Sequence, residues 1–385
     1  MNILHITPFF YPAWSYGGIP RLSSYLALKQ AKMGHRVHVV TTDVLNESSR
    51  QARDSFEIEG VTVKVHRNLS NWAAYHLQVF TPRGIFFERD VAREFDIMHI
   101  HGHRNFLNTA MAYFGRRAGV PIVLQPNGTL VNIERRRLWK SAYDTFFGKR
   151  EVRTTTGFIA VSDVEKRQFM EMGISEDKIR VIPNGVYMER EQVQLDFKKH
   201  YGIPGEYILY LGKITPRKGI EHIVKAIPLF RDQSLKLVIA GNDMGYLGQI
   251  KDQVRELSVG DRVLVAGLLT GDIKTAAYRD ALYTVYVSRD EIFGLVPFES
   301  LLCGTPVIVA DDSGCGEWIK RASAGNVIPY GDPHAISETV NNYDEKREAV
   351  IVERGRAFIE KHLTWENVAA RVIDFYQEIL PGKSR

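Results

Sequence analysis

Two glutamates, Glu291 and Glu299, stand with seven residues between them in the stretch RDEIFGLVPFE, which runs from Arg289 to Glu299. An apolar run, Tyr283 to Val287, comes just before, and Gly294 and Pro297 fall in the interval. Pro297 suits the first turn of a helix, where its missing N–H costs nothing. That helix is expected to continue through Glu299, Ser300, Leu301 and Leu302 and to stop at Gly304-Thr305-Pro306. The amides of Gly294, Leu295 and Val296 then sit at a helix N-terminus, a ready anion site. Carboxylates do not bind phosphate, but they accept hydrogen bonds from sugar hydroxyls. An anion cradle with a carboxylate on either side suits a nucleotide-sugar, which is a diphosphate with a polyol at each end. The plainer alternative is that Glu299 balances its own helix dipole and Glu291 is a solvated loop residue.

A second stretch, LGKITPRKG from Leu211 to Gly219, places Lys213, Arg217 and Lys218 between an apolar run and a helical pattern. Lysine binds phosphate as a point charge; the alternative is a solvated basic loop. The run His99-Ile100-His101-Gly102-His103 has a spacing that could suggest zinc. No convincing third ligand type stands near it in sequence, so the histidines are read as polar pocket residues and no metal is expected. The chain has no Asp-x-Asp pair to hold a divalent ion with a diphosphate. Its two cysteines, Cys303 and Cys315, argue against a disulfide framework and for a reducing compartment.

These residues need elements to hold them. Apolar runs at Ile3–Thr7, Val37–Thr41, Val61–Val65, Ile97–His101, Ile122–Gln125 and Gly157–Val161 read as strands. After a Pro183-Asn184-Gly185 turn, a second series runs Tyr207–Leu211, Lys236–Ala240, Arg262–Val265, Tyr283–Val287, Pro306–Val309 and Val327–Pro329. Uniformly apolar strands separated by amphipathic helices imply parallel sheets covered on both faces. The fold class is therefore α/β, with two Rossmann-like, doubly wound domains at 1–185 and 186–364. The apolar face of Trp365 to Leu380 predicts a C-terminal helix, expected to return to the N-terminal domain. Ligands in such sheets bind at the carboxyl ends of the strands, which is where both stretches fall.

The 385 residues suit two domains, and 44% apolar with 25% charged residues is ordinary for a globular protein. A net charge of +5 fits phosphate-bearing ligands or an anionic surface. No stretch approaches the roughly 20 apolar residues of a spanning helix, and the N-terminus starts on a strand pattern. A cytoplasmic protein is expected. No Gly-x-Gly-x-x-Gly follows the first strand, which argues against a dinucleotide-dependent dehydrogenase.

The Gly-basic turn ending in Lys218-Gly219, the pattern E-x-F-G-L-x-x-x-E from Glu291 to Glu299, and Gly304-Thr305-Pro306-Val307 together resemble the retaining GT-B glycosyltransferases of family 4. The resemblance extends to Tyr16-Gly17-Gly18, Gly34-His35-Arg36-Val37, Val161-Ser162, Pro183-Asn184-Gly185 and Thr364-Trp365-Glu366. It implies two domains facing across a cleft and a hexosyl transfer from a UDP- or GDP-linked sugar to a glycan or lipid-linked acceptor, in cell-surface polysaccharide assembly. It implies that Lys213 and Lys218 hold the donor diphosphate, helped by the amides of Gly294, Leu295 and Val296 and the backbone of Gly17 and Gly18. Glu291 would contact the donor sugar and Glu299 the ribose. His101 would lie near the transferred sugar, and the base beside Gly267 and Leu268. Glu291, His101, Lys218 and Lys213 are thus the expected catalytic set, with no cofactor, no metal and no nucleic acid. Many members carry arginine where Lys213 stands and glycine where Ile292 stands. The alternatives are a nucleotide-sugar epimerase or a phosphorylase of the same fold, or a non-catalytic sugar-binding protein.

The span from Glu134 to Arg153 holds seven basic and three acidic residues, with Trp139, Tyr143, Phe146 and Phe147 interleaved. Such a mixture suits peripheral contact with an anionic membrane. The alternative is an aromatic face packed on the N-terminal sheet with its arginines solvated.

Overall fold

The computed structural model describes residues 1–130, 143–187 and 193–380. The chain divides into two compact units, Met1–Gly185 with Trp365–Arg385, and Val186–Thr364. In the first unit the strands are β1 (Asn2–Ile6), β2 (Arg36–Thr42), β3 (Ser55–Ile58), β4 (Val61–His66), β5 (Ile97–His101), β6 (Ile122–Gln125), β7 (Gly157–Ala160) and β8 (Ile179–Val181). They form one sheet in the order β3-β4-β2-β1-β5-β6-β7-β8. Every pairing is parallel except β3 with β4, which is a hairpin.

The strands β3 and β8 were not anticipated from the pattern of apolar runs. The first, SFEI, is a half-exposed edge strand; the second is three residues long with Arg180 exposed. Neither buries both faces, so neither has the continuous apolar run that marks the central strands.

The second unit carries β9 (Tyr207–Leu211), β10 (Lys236–Ala240), β11 (Val263–Gly267), β12 (Tyr283–Tyr286), β13 (Val307–Ala310) and β14 (Asn326–Ile328). All pair in parallel, in the order β11-β10-β9-β12-β13-β14. Numbered within the unit this is 3-2-1-4-5-6, the dinucleotide-binding order, and its direction reverses between β9 and β12. The core on one side of this sheet is continuous from Ile208 and Tyr210 through Ile220, Val224 and Ile239 to Val285 and Ile308.

The final helix, Trp365–Ile379, buries Trp365, Val368, Ala369, Val372, Ile373, Phe375 and Tyr376. It packs on the helix Gly18–Lys32 of the first unit. Gly185 makes room for it: a Cβ there would stand 2.3 Å from Cδ2 of Trp365. Among the described residues no helix is long and apolar enough to cross a membrane.

Candidate active site

The reversal between β9 and β12 parts two loops at the carboxyl ends of the strands, and polar contacts then tie the loops together. The Arg289 amide donates to the Arg217 carbonyl at 2.8 Å. The Arg217 guanidinium donates to the Asp290 carbonyl. Lys218 pairs with Glu291 through Oε2. Tyr286, the last residue of β12, accepts from Lys218 Nζ at 2.7 Å and donates to Glu291 Oε2 at 2.9 Å. The Ser288 hydroxyl adds a third contact to Oε2 at 3.3 Å.

Burial opposes ionisation of the Glu291 carboxyl, but Lys218, the Tyr286 hydroxyl and Arg217 outweigh it and hold the pKa below the usual carboxylate range. The lysine and the glutamate are both mostly covered, 17% and 21% exposed at the side chain. An ion pair so placed is less screened than a surface pair.

Gly219 and Gly294 let the two loops meet. Gly219 has φ +65°, and a Cβ there would stand 2.3 Å from the Val287 carbonyl oxygen. Gly294 has φ +68°, and its Cβ would come 3.0 Å from the Tyr286 ring and 3.2 Å from Cγ of Glu291. The turn at Gly294 therefore lies directly against the Tyr286–Glu291 pair. It leads into the helix Val296–Cys303, whose second residue is Pro297. The first backbone bonds of that helix are donated by Phe298 and Glu299 to the Leu295 carbonyl. The amides of Gly294, Leu295 and Val296 precede them, as the sequence pattern predicts.

Glu299 sits in the first turn of this helix but does more than balance the dipole. Its Oε2 accepts from Tyr278 Oη at 2.8 Å and pairs with Lys274 Nζ at 2.7 Å. Lys213 is exposed, with its carbonyl bonded to the Tyr210 hydroxyl at 2.8 Å. Gly267 ends β11 with φ +72°, and Leu268 beside it is 62% exposed. The loop residues Lys218, Glu291 and Gly294 are thus brought together, while Lys213 and Glu299 bond to Tyr210, Tyr278 and Lys274.

The remaining expected residues belong to the N-terminal unit. Gly17 has φ +103° and precedes the helix Gly18–Lys32. His101 ends β5, and a Cβ on Gly102 would meet Cδ1 of Ile19 at 3.6 Å, so the glycine turn and the end of β5 are neighbours. His101 is buried, with Nε2 held 2.8 Å from Nδ1 of His5. His103 is buried between Glu151 Oε1 at 3.2 Å and Asp144 Oδ1 at 3.6 Å. Burial works against its proton, but the two carboxylates prevail and raise its pKa.

Tyr286, Ser288, Lys274, Tyr278 and His5 escaped the sequence reading. Lys274 and Tyr278 are four apart on the helix Gly271–Arg279 and share a face, a spacing that links them to each other but not to Glu299. For Tyr286 and His5, ordinary strand residues, there was no signal.

Of the expected membrane segment, Arg135, Arg136, Arg137, Trp139 and Lys140 lie outside the described residues. In the described part the acids turn inward: Asp144 pairs with Arg104 at 2.8 Å, and Glu151 is buried against His103. Lys149, Arg150 and Arg153 face outward and, with Arg116 and Thr154, line a surface pocket of about 630 Å³. Phe106, Tyr113 and Phe147 stand more than 40% exposed on the same unit.

Comparison with known proteins bears on what this arrangement serves. The family model described as Glycosyltransferase Family 4 matches residues 16–190, and the one described as Glycosyl transferases group 1 matches residues 194–361. An uncharacterized glycosyltransferase of Methanocaldococcus jannaschii is 24% identical over 95% of this chain and 96% of its own length. A GDP-mannose:cellobiosyl-diphosphopolyprenol alpha-mannosyltransferase of Xanthomonas oryzae pv. oryzae is 23% identical over 99% of this chain and 97% of its own. The crystal structure of HepE from Anabaena, in complex with UDP and glucose, superposes with a TM-score of 0.70 at 17% identity, covering 98% of this chain and 100% of that one. The fold is GT-B. With one family model on each of its two units, the chain belongs to the group 1 glycosyltransferases of family 4.

Proposed function

We propose that the protein moves a hexosyl unit from a UDP- or GDP-linked sugar to a hydroxyl of a glycan or lipid-linked acceptor, with retention and without a metal, in the assembly of a cell-surface polysaccharide. The observation that carries the proposal is the Lys218–Glu291 pair, set against the Gly294 turn at the reversal of a 3-2-1-4-5-6 sheet. A diphosphate at that turn gains the free amides and the lysine. The three side-chain contacts described for Glu291 all fall on Oε2, which leaves Oε1 to accept from a sugar hydroxyl. Lys213 adds a second cation to the diphosphate, Glu299 takes the ribose, and the base lies at Gly267 and Leu268. In the N-terminal unit, His101 accepts from a hydroxyl of the reacting sugar, and Gly17 and Gly18 contribute backbone.

The anomeric carbon–phosphate oxygen bond breaks as the acceptor oxygen bonds to the same face of the sugar. The acceptor proton passes to the departing phosphate. Lysines and helix amides stabilise the growing charge, each charge-assisted bond supplying about 1.5–3 kcal/mol.

The names of the relatives support both halves of the reading. One relative is named for GDP-mannose and a diphosphopolyprenol acceptor, and one structure contains UDP and glucose. The outward-facing Arg116, Lys149, Arg150 and Arg153 favour an anionic acceptor or membrane surface next to the N-terminal unit. A melting panel of UDP-glucose, GDP-mannose and their free nucleotides tests the donor. One of the sugars at 100 times its dissociation constant is expected to stabilise by about 2.7 kcal/mol, and its turnover is expected to survive EDTA. A panel in which no nucleotide raises the melting temperature overturns the reading.

A further inference from the structure

His5, His99 and His101 project from one face of two paired strands. His5 of β1 stands opposite His99 of β5, and His101 lies two residues further along, which returns it to the same face. All three are fully buried, and one ring nitrogen from each falls within 4.8 Å of the others. Such a cluster invites a metal ion, but the rings are arranged otherwise. His99 and His101 stack with centroids 4.1 Å apart and planes 26° apart. Imidazole lone pairs lie in the ring plane, so those of stacked rings run alongside one another and do not converge on one ion. The 2.8 Å separation of His5 Nδ1 and His101 Nε2 is a hydrogen bond.

The direction of that bond follows from its far end. Nε2 of His5 is 2.7 Å from the carboxamide oxygen of Gln30, which only accepts. His5 Nε2 therefore carries the proton and Nδ1 the lone pair. Burial pushes the His5 pKa down to about 4 and holds that of His101 well below its ordinary value, so both rings are neutral. His101 must then donate from Nε2, and its Nδ1 is an acceptor. The amide nitrogen of Gln30 points to the Tyr376 hydroxyl at 3.5 Å, and that hydroxyl meets Nδ1 of His99. The chain of polar groups thus runs from the C-terminal helix through Gln30 and His5 to His101, all within the N-terminal unit.

We infer that Gln30 and His5 are positioning residues that fix His101 as its Nε2–H tautomer, so that it presents Nδ1 as an acceptor for a substrate hydroxyl. The inference rests on the reading of His101 given under Proposed function. It makes the site selective for a hydroxyl over a carbonyl at that position, because two facing lone pairs repel.

The test is long-range ¹H–¹⁵N correlation on the full chain labelled in histidine, with His101→Ala to assign the ring. His101 is expected to show a protonated Nε2 and a bare Nδ1. Gln30→Met, which keeps the shape and removes the acceptor, should mix the two tautomers. It should also cut turnover of UDP-glucose or GDP-mannose, whichever the melting panel selects, about tenfold with the donor KM changed less than twofold. Gln30→Glu, which keeps an acceptor oxygen, should restore the spectrum and most of the turnover. A proton on Nδ1 of His101 in the wild type overturns the inference. So does an unchanged tautomer in Gln30→Met, or one equivalent of bound metal that is lost in His5→Phe. If His101→Ala retains full turnover, the catalytic reading of His101 falls on its own, and the spectra alone decide the hydrogen-bond chain.

Discussion

Lys218 shares its charge with Glu291, and under the proposed function a diphosphate at the Gly294 turn would compete for it. This competition separates the expected effects of two substitutions. Glu291→Gln removes the competing charge but keeps the shape and one acceptor oxygen. Donor affinity should hold or rise, while turnover falls about 10- to 100-fold for want of a charged contact to the sugar. Lys218→Ala would lose the charge-assisted phosphate contact proposed for it, and it leaves a partly buried carboxylate without its cation. Turnover should fall by a similar factor, and here donor affinity should fall too. Steady-state kinetics with separate donor titrations check both. A Glu291→Gln variant that lost only affinity would make Glu291 a ground-state anchor.

The loops after β9 and β12 act as one element because two glycines let them touch. Alanine at residue 219 would carry an unfavourable positive φ, costing roughly 1–2 kcal/mol. Its Cβ would also force the Val287 carbonyl away. Gly219→Ala should thus move Lys218 relative to Glu291 and cost at least tenfold in turnover, along with a few degrees in melting temperature. Gly205→Ala is the control, since its Cβ meets nothing closer than Ser234 Oγ at 3.7 Å. Equal behaviour of the two variants would show that the loop contact is dispensable.

At the scale of the chain, the last helix closes the first unit. Its buried side chains contribute about 1.5–3 kcal/mol each as an upper bound, and with six large ones the sum reaches that of a whole domain. It also supplies Tyr376 to the polar group beneath His99. Truncation before Trp365 should therefore yield insoluble or molten protein, read by near-ultraviolet circular dichroism and thermal melting. A soluble truncation with a cooperative melt would show that the N-terminal sheet holds without it.

The central strands could be read from the chain alone, because a strand buried on both faces must be apolar throughout, and so could the helix marked by Pro297 at its start and Gly304 at its end. The sequence also made Lys218, Glu291 and the Gly294 turn legible, since each is set by local backbone chemistry within a few residues of a strand end. That Lys218 and Glu291 form one pair with Tyr286 between them became visible with the folded chain. These groups lie up to 73 residues apart, and the order in which the sheet arranges its strands has no local signature. The same holds for His5 and His101, 96 residues apart. Each is an ordinary strand residue until parallel pairing of β1 with β5 puts their rings on one buried face, where one ring nitrogen of each finds its hydrogen-bond partner in the other.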